Sequence, residues 1–109
     1  MKLRIIANPK AGHGKGPRNI AGLRSLLRLL DINYEILETT AAGEATEIAR
    51  DLAKKEQDRI IVLGGDGTIS EVVNGILGTS VELGMICVGT GNDIARSLGI
   101  PYNNLKASL

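Results

Sequence analysis

A chain of 109 residues, 43% of them apolar, has room for one domain with a single hydrophobic core. A net charge of +1 gives no general attraction to nucleic acid, and 2% aromatic residues are too few for a base-stacking platform, so we expect no nucleic acid among its partners. The single cysteine, Cys87, excludes an intramolecular disulfide, and the first residues lack the long apolar segment of a signal peptide, so we expect a cytoplasmic protein.

The first half of the chain alternates predicted strands and helices. A short apolar run over residues 3–7 predicts a buried strand, which enters a loop rich in glycine and proline. Apolar residues at intervals of three and four predict a helix from about residue 18 to residue 30. Residues 34–38 predict a second strand, and a second helical stripe begins at Gly43.

The second half repeats this alternation. It predicts a third strand over residues 60–63, a helix over 68–77, a fourth strand over 83–88 and a short helix over 93–98. Strands that alternate with helices pair in parallel through right-handed crossovers. The sequence therefore predicts a three-layer, doubly wound α/β fold with a mostly parallel sheet.

The turn from Gly64 to Thr68, between the third strand and the third helix, is the strongest candidate for a phosphate site. Glycines allow positive φ and close approach of a ligand, and a helix N-terminus directs free N–H groups toward an anion. Asp66 suits such a place if a divalent cation such as Mg²⁺ lies between its carboxylate and the phosphates. The same residues also fit an ordinary helix start, with Thr68 as the N-cap and Glu71 closing a capping box. The turn alone leaves both interpretations open.

Glycine-rich and polar segments follow all four predicted strands, at residues 8–16, 39–43, 64–68 and 89–93. In a parallel sheet these segments lie at the carboxyl edge, where ligands bind in open α/β folds. The connections at the opposite edge are ordinary polar turns. Neither the Walker pattern nor the dinucleotide fingerprint has the glycine spacing found here.

Four segments, in this order, resemble motifs of the catalytic domain of diacylglycerol kinases, a family that includes bacterial lipid kinases and has sphingosine kinases as relatives. The segments are Asn8 to Gly12, Thr39 with Gly43, Gly64 to Gly75, and Gly89 to Arg96. The Gly-Gly-Asp-Gly-Thr string is shared with NAD kinases and resembles that of phosphofructokinases, whereas Gly-Thr-Gly-Asn-Asp is more specific to the lipid kinases. The resemblance covers essentially the whole chain and implies the fold of the N-terminal domain of phosphofructokinases and NAD kinases.

The resemblance implies that ATP binds with Mg²⁺ across the carboxyl edge and that its γ-phosphate passes to a lipid hydroxyl. The implied nucleotide-binding residues are Asn8, Pro9, Lys10, Ala11, Gly12, Thr39, Gly64, Gly65, Asp66, Gly67, Thr68, Ser70, Glu71, Thr90, Gly91 and Asn92. Asp66 is also the implied catalytic residue, orienting Mg²⁺ or the γ-phosphate. Asp66 and Asp93 are the candidate metal ligands, and Asp93 could equally be the N-cap of the last helix.

The sequence departs from the family pattern at two positions and in length. Ala11 stands where serine is usual and removes a hydroxyl donor, and Cys87 stands where proline is usual. Family members continue into a second, β-rich domain that supplies the lipid pocket and the catalytic base. We therefore expect residues 1–109 to be the nucleotide-binding domain of a lipid kinase, weak or inactive alone, with the lipid-binding domain absent from this chain.

Several questions stay open on the sequence. An NAD kinase-like phosphotransferase domain and a non-enzymatic nucleotide-binding module are the alternative functions. Peripheral membrane contact of the full-length protein and formation of a homo-oligomer are further expectations. We expect the choice of lipid acceptor to lie in the second domain.

Overall fold

The computed structural model describes residues 2–10, 16–55 and 59–87, which form four strands and three helices. All strand pairs are parallel, and the strand order is β2-β1-β3-β4. The predicted α/β class and parallel sheet are therefore confirmed. The elements are β1 (Leu3–Ala7), α1 (Gly16–Leu29), β2 (Tyr34–Glu38), α2 (Glu44–Lys54), β3 (Arg59–Gly64), α3 (Asp66–Ile76) and β4 (Glu82–Cys87). The predicted helix over residues 93–98 lies outside the described residues.

The core consists of two apolar clusters, one on each face of the sheet. Because successive strand residues point to opposite faces, Ile5 packs with Leu23 and Leu27 of α1, whereas Ile6 packs with Ala49 of α2 and Val72 of α3. One helix thus covers one face and two helices cover the other, which confirms the three layers. No helix in the described ranges is long and apolar enough to cross a membrane.

The start of α3 differs from the predicted capping box. The helix begins at Asp66, and its N-cap is Gly65, which has extended backbone angles and makes no side-chain capping bond. The Ile69 N–H already donates to the Gly65 carbonyl at 3.0 Å, so Thr68 lies within the first turn. The assignment of Thr68 as N-cap and Glu71 as the closing residue is wrong, because both side chains bond to other parts of the chain.

The glycines at the start of α3 do not adopt the positive φ that glycine allows. Among the described glycines, positive φ occurs at Gly43 (84°) and Gly78 (81°), whereas φ at Gly65 is −94°. Of the three glycines at 64, 65 and 67, Gly64 alone is required by the packing of the described residues. A Cβ on Gly64 would lie 2.9 Å from the Cβ of Thr68, whereas a Cβ on Gly65 or Gly67 would meet nothing within 4 Å.

Candidate nucleotide-binding site

The carboxyl ends of three strands are held side by side by two backbone hydrogen bonds. The Thr39 N–H donates to the Ala7 carbonyl at 2.8 Å, and the Asn8 N–H donates to the Leu63 carbonyl at 3.3 Å. These bonds continue the parallel ladders beyond the strands that precede Asn8 and Thr39. Asn8 therefore lies between Thr39 and the end of β3, as the order of the strands requires.

A cleft of about 200 Å³ opens at this edge. It lies between the end of β1, the loop that joins β2 to α2, and the first turns of α2 and α3. Its lining residues are Asn8, Lys10, Thr39, Thr40, Ala41, Ala42, Ala45, Thr68 and Glu71. The structure thus brings together side chains that are far apart in the sequence.

Five of these lining residues are among the predicted site residues, namely Asn8, Lys10, Thr39, Thr68 and Glu71. Sequence reasoning did not select the other four as site residues. The segment over residues 39–43, which follows the second predicted strand, was the signal that could have identified three of the four, namely Thr40, Ala41 and Ala42. Alanine side chains carry no distinctive chemistry, so only the fold identifies them as a cleft wall.

Asn8 joins the loop after β1 to the first turn of α3. Its Oδ1 accepts a hydrogen bond from the Lys10 N–H at 2.9 Å, and its Nδ2 donates to the Thr68 Oγ1 at 3.2 Å. Thr68 is buried, with 7% of its surface exposed, and its side chain packs against Gly64. A Cβ at Gly64 would therefore displace the side chain that Asn8 holds.

Two glutamates hold the loop between β2 and α2. Glu71 accepts a hydrogen bond from the Gly43 N–H at 3.1 Å, and its backbone carbonyl accepts one from the Thr46 hydroxyl at 2.7 Å. The Glu44 carboxylate accepts from both the N–H and the hydroxyl of Thr40, at 2.9 and 3.0 Å. Glu44 was missed from the sequence, because a glutamate at the start of a helix is common and carries no motif.

The N-terminus of α3 is open where a ligand could approach it. Asp66 is the first residue of the helix and is exposed, as are Gly67 and Ser70, whereas Pro9 is half-buried. The absence of side chains on Gly65 and Gly67 leaves the backbone uncovered there. The cleft lining does not include Pro9, Gly65, Asp66, Gly67 or Ser70, which therefore form its outer rim or lie beyond it.

The candidate metal ligands are divided between described and undescribed residues. In residues 2–10, 16–55 and 59–87, no group of three histidine, cysteine or acidic side chains could hold a metal. One carboxylate nevertheless suits Mg²⁺, which keeps several waters and takes further ligands from phosphate oxygens. Asp66 fits that limited role. The remaining predicted site residues, Ala11, Gly12, Thr90, Gly91, Asn92 and Asp93, lie outside the described residues.

Comparison with known proteins identifies relatives over nearly the whole chain. The profile of the diacylglycerol kinase catalytic domain matches residues 2–109. A diacylglycerol kinase of Bacillus subtilis is 44% identical over 110 residues, which cover 98% of this chain and 36% of the relative. The sphingoid long-chain bases kinase 1 of Arabidopsis thaliana is 34% identical, over 85% of this chain and 13% of the relative. The chain spans about a third of the length of the bacterial relative.

Solved structures agree with these sequence relatives. The crystal structure of a diacylglycerol kinase from Bacillus anthracis matches with a TM-score of 0.70 and 39% identity, over 98% of this chain and 38% of that chain. A phosphate-loop protein with 16% identity has a TM-score of 0.58, over 99% of this chain and 95% of that chain, and shows a shared fold alone. On the profile match over residues 2–109, the chain belongs to the diacylglycerol kinase catalytic domain family.

Proposed function

We propose that this chain binds ATP with Mg²⁺ at the carboxyl edge of its sheet, as the nucleotide-binding domain of a lipid kinase. The observation that carries the proposal is that Asn8, Thr39 and Thr68 line one cleft beside the open N-terminus of α3. The domain assignment to residues 1–109, with a lipid-binding domain outside them, is part of the proposal. Its support is that the chain covers about a third of its bacterial relative.

The phosphates of ATP would bind at the start of α3. The first N–H groups of a helix have no intrahelical acceptor and carry a partial positive charge. Gly65 and Gly67 leave these groups accessible in the described part of the chain, since a Cβ on either glycine would meet nothing within 4 Å beyond its immediate backbone surroundings. The exposed side chain of Lys10, at the cleft, supplies a full positive charge near the same place.

Asp66 is the residue through which we propose that a cation is held. Asp66 is the first residue of α3, so its carboxylate lies beside the proposed phosphates. The carboxylate and the phosphates would repel each other without a cation between them. Mg²⁺, when bound, neutralises charge on the transferring phosphoryl group. Asp93 is the second candidate ligand and lies outside the described residues.

The nucleoside would occupy the cleft between the loop after β2 and Glu71. The wall formed by Ala41, Ala42 and Ala45 is apolar and suits the face of a base. Thr39 and Thr40 add polar groups to the same wall. The small alanine side chains leave the cleft open.

A lipid hydroxyl is the proposed phosphate acceptor. The relatives are named as kinases of diacylglycerol and of sphingoid bases, two lipids with a free hydroxyl. In the described part of the chain the carboxylates of Glu44 and Glu71 already accept protein hydrogen bonds, and Asp66 serves the cation in this proposal. We infer from the family resemblance that the base belongs to the lipid-binding domain, so that residues 1–109 alone would transfer phosphate weakly or not at all.

The cellular setting belongs to the same proposal. A cytoplasmic protein that meets its lipid acceptor at a membrane surface agrees with the lone cysteine and with the named substrates of the relatives. Formation of a homo-oligomer is a further part of the proposal; among the described residues the exposed large apolar side chains are Leu29, Val73, Leu77 and Met85.

Calorimetric titration of the purified protein with MgATP tests the nucleotide proposal. We expect saturable binding that Asp66→Asn weakens in the presence of Mg²⁺ and changes less in its absence. Asp51→Asn is the matched control, because Asp51 is an exposed acid on α2 that pairs with Lys55. A folded protein that gives no heat up to millimolar MgATP would refute nucleotide binding.

A second experiment tests the acceptor. The full-length protein is incubated with labelled ATP in three separate reactions, which contain diacylglycerol, a sphingoid base or NAD as the acceptor. We expect label on a lipid. Label on NAD alone would support the NAD kinase alternative, and equal transfer to lipid by residues 1–109 would contradict our inference about the base.

A further inference from the structure

The hydrogen bond between Asn8 and Thr68 has a direction that elementary chemistry determines. The Lys10 backbone N–H can only donate, and it donates to Oδ1 of Asn8 at 2.9 Å. A flipped amide would place two donors against each other, so Nδ2 must lie on the other side. That side faces Thr68, and Nδ2 donates to Oγ1 at 3.2 Å.

This direction determines whether the Thr68 hydroxyl can still donate a hydrogen bond to a ligand. A hydroxyl has one proton and two lone pairs, and Asn8 already occupies one lone pair. No acceptor in the described part of the chain takes the proton. Within the part of the chain that the structure describes, Thr68 therefore retains an O–H donor without an acceptor.

The surroundings of Thr68 keep this donor in place. The residue is 7% exposed and its side chain packs on Gly64, where a Cβ would lie 3.1 Å from Oγ1. Thr68 also lines the cleft, in the first turn of α3. A ligand in the cleft is thus the acceptor available to the free proton.

We propose that Asn8 is a positioning residue that sets the polarity of the Thr68 hydroxyl, so that Thr68 donates its proton to a phosphate oxygen of the bound nucleotide. The inference rests on the proposed function, because it needs a phosphate at the start of α3. An ionised phosphate oxygen accepts hydrogen bonds and repels lone pairs. If Thr68 donated its proton to a protein acceptor, its hydroxyl would present a lone pair to the phosphate oxygen.

The polarity of Thr68 can be reversed with one substitution of nearly equal shape. In Asn8→Asp, one carboxylate oxygen still accepts from Lys10 and the other accepts the Thr68 proton, which leaves lone pairs toward the ligand. The new negative charge also repels phosphate, and this second effect must be separated from the first. Thr68→Val removes the hydroxyl at similar volume, so Asn8→Asp in the Thr68→Val background retains the effect of charge alone.

The test is a double-mutant cycle on MgATP affinity with the wild type, both single variants and the double variant. We expect Thr68→Val to weaken binding about tenfold, the usual effect of losing one hydrogen bond to a charged group, and Thr68→Ser to stay within about twofold of the wild type. Asn8→Asp should lower the affinity for MgATP in both backgrounds. The factor by which it lowers the affinity should be about tenfold smaller in the Thr68→Val background than in the wild type. Urea unfolding of each variant verifies that the compared proteins are folded.

A measurement without nucleotide completes the test. In ¹⁵N-resolved NMR spectra, the side-chain amide signal of Asn8 should shift in Thr68→Val and return close to its original position in Thr68→Ser. An unshifted signal, or an Asn8→Asp effect that is equal in both backgrounds, would overturn the proposed role of Asn8 while nucleotide binding stands. A folded wild type that binds no MgATP would refute the proposed function and the ligand of Thr68 together.

Discussion

The Glu71 carboxylate accepts a hydrogen bond from the backbone N–H of Gly43, which lies 28 residues earlier in the chain, at 3.1 Å. The carbonyl of Glu71 accepts a second bond from the Thr46 hydroxyl in the first turn of α2. One residue of α3 therefore holds both the loop that forms the cleft wall and the helix that follows it. The proposed phosphate end and the proposed nucleoside end of the site are thus connected through Glu71.

Removing the Glu71 side chain should loosen that wall. In Glu71→Ala the Gly43 N–H loses its acceptor, and we expect the free energy of unfolding to fall by about 1 kcal/mol, with weaker MgATP binding. Glu71→Gln keeps a side-chain oxygen at the same place and should lie closer to the wild type in both measurements. Urea unfolding and calorimetric titration measure the two effects, and Glu47→Ala on the exposed face of α2 is the control. Equal behaviour of Glu71→Ala and Glu47→Ala would refute the role of this bond.

Two glycines at the start of α3, Gly64 before the helix and Gly67 within its first turn, should separate stability from binding. Gly64→Ala places a Cβ 2.9 Å from the Thr68 Cβ, and we expect it to destabilise the fold by about 1–3 kcal/mol. Gly67→Ala meets no protein atom and, in a helix, should raise the stability by up to about 1 kcal/mol. If phosphate approaches the first turn of α3, Gly67→Ala should nevertheless weaken MgATP binding. Unchanged affinity in a stabilised Gly67→Ala would argue against phosphate at this position.

Gly75 lies where α3 crosses α2. A Cβ there would lie 2.4 Å from the Thr46 carbonyl oxygen and 2.8 Å from the Ala49 Cβ, so the two helices would have to separate. We expect Gly75→Ala to lower the free energy of unfolding by about 1–3 kcal/mol, although alanine favours helix more than glycine does. It should also weaken MgATP binding, because the Thr46–Glu71 bond spans the same pair of helices. The neighbouring exposed Asn74→Ala is the control in denaturation and titration, and a Gly75→Ala variant as stable as this control would contradict the close packing.

Two ion pairs between neighbouring strands differ in burial. Arg4 on β1 pairs with Glu35 on β2, with side chains 27% and 44% exposed, and the Arg4 Nε is buried with no hydrogen-bond partner among the described residues. Arg59 on β3 pairs with Glu82 on β4, with side chains 60% and 72% exposed. Removing one member of an ion pair lowers the free energy of unfolding more where the remaining charge is shielded from water. We expect Glu35→Ala to destabilise by about 1–2 kcal/mol and Glu82→Ala by about 0–1 kcal/mol, as measured by urea unfolding. The reverse order would show that burial does not govern these pairs.

Much of the fold can be predicted from this sequence because the patterns involved are local. A short apolar run predicts β1 and a weak alternation of apolar and polar residues predicts β2, with the observed bounds Leu3–Ala7 and Tyr34–Glu38. Alternation of strands and helices predicts a parallel sheet, whose carboxyl edge collects the loops after the strands. The resemblance to the diacylglycerol kinase catalytic domain rests on those loops and is confirmed by the profile match.

The partners of individual side chains are a different matter, because they depend on which elements pack together. A threonine followed three residues later by a glutamate satisfies a capping box, and nothing nearby in the sequence excludes it. The sheet places Asn8, 60 residues earlier in the chain, against Thr68, and the packing of α2 on α3 places Gly43 against Glu71. Local pattern thus accounts for the class of fold and for the edge that carries the candidate site, whereas strand order and helix packing select among hydrogen bonds that are equally satisfactory by local criteria.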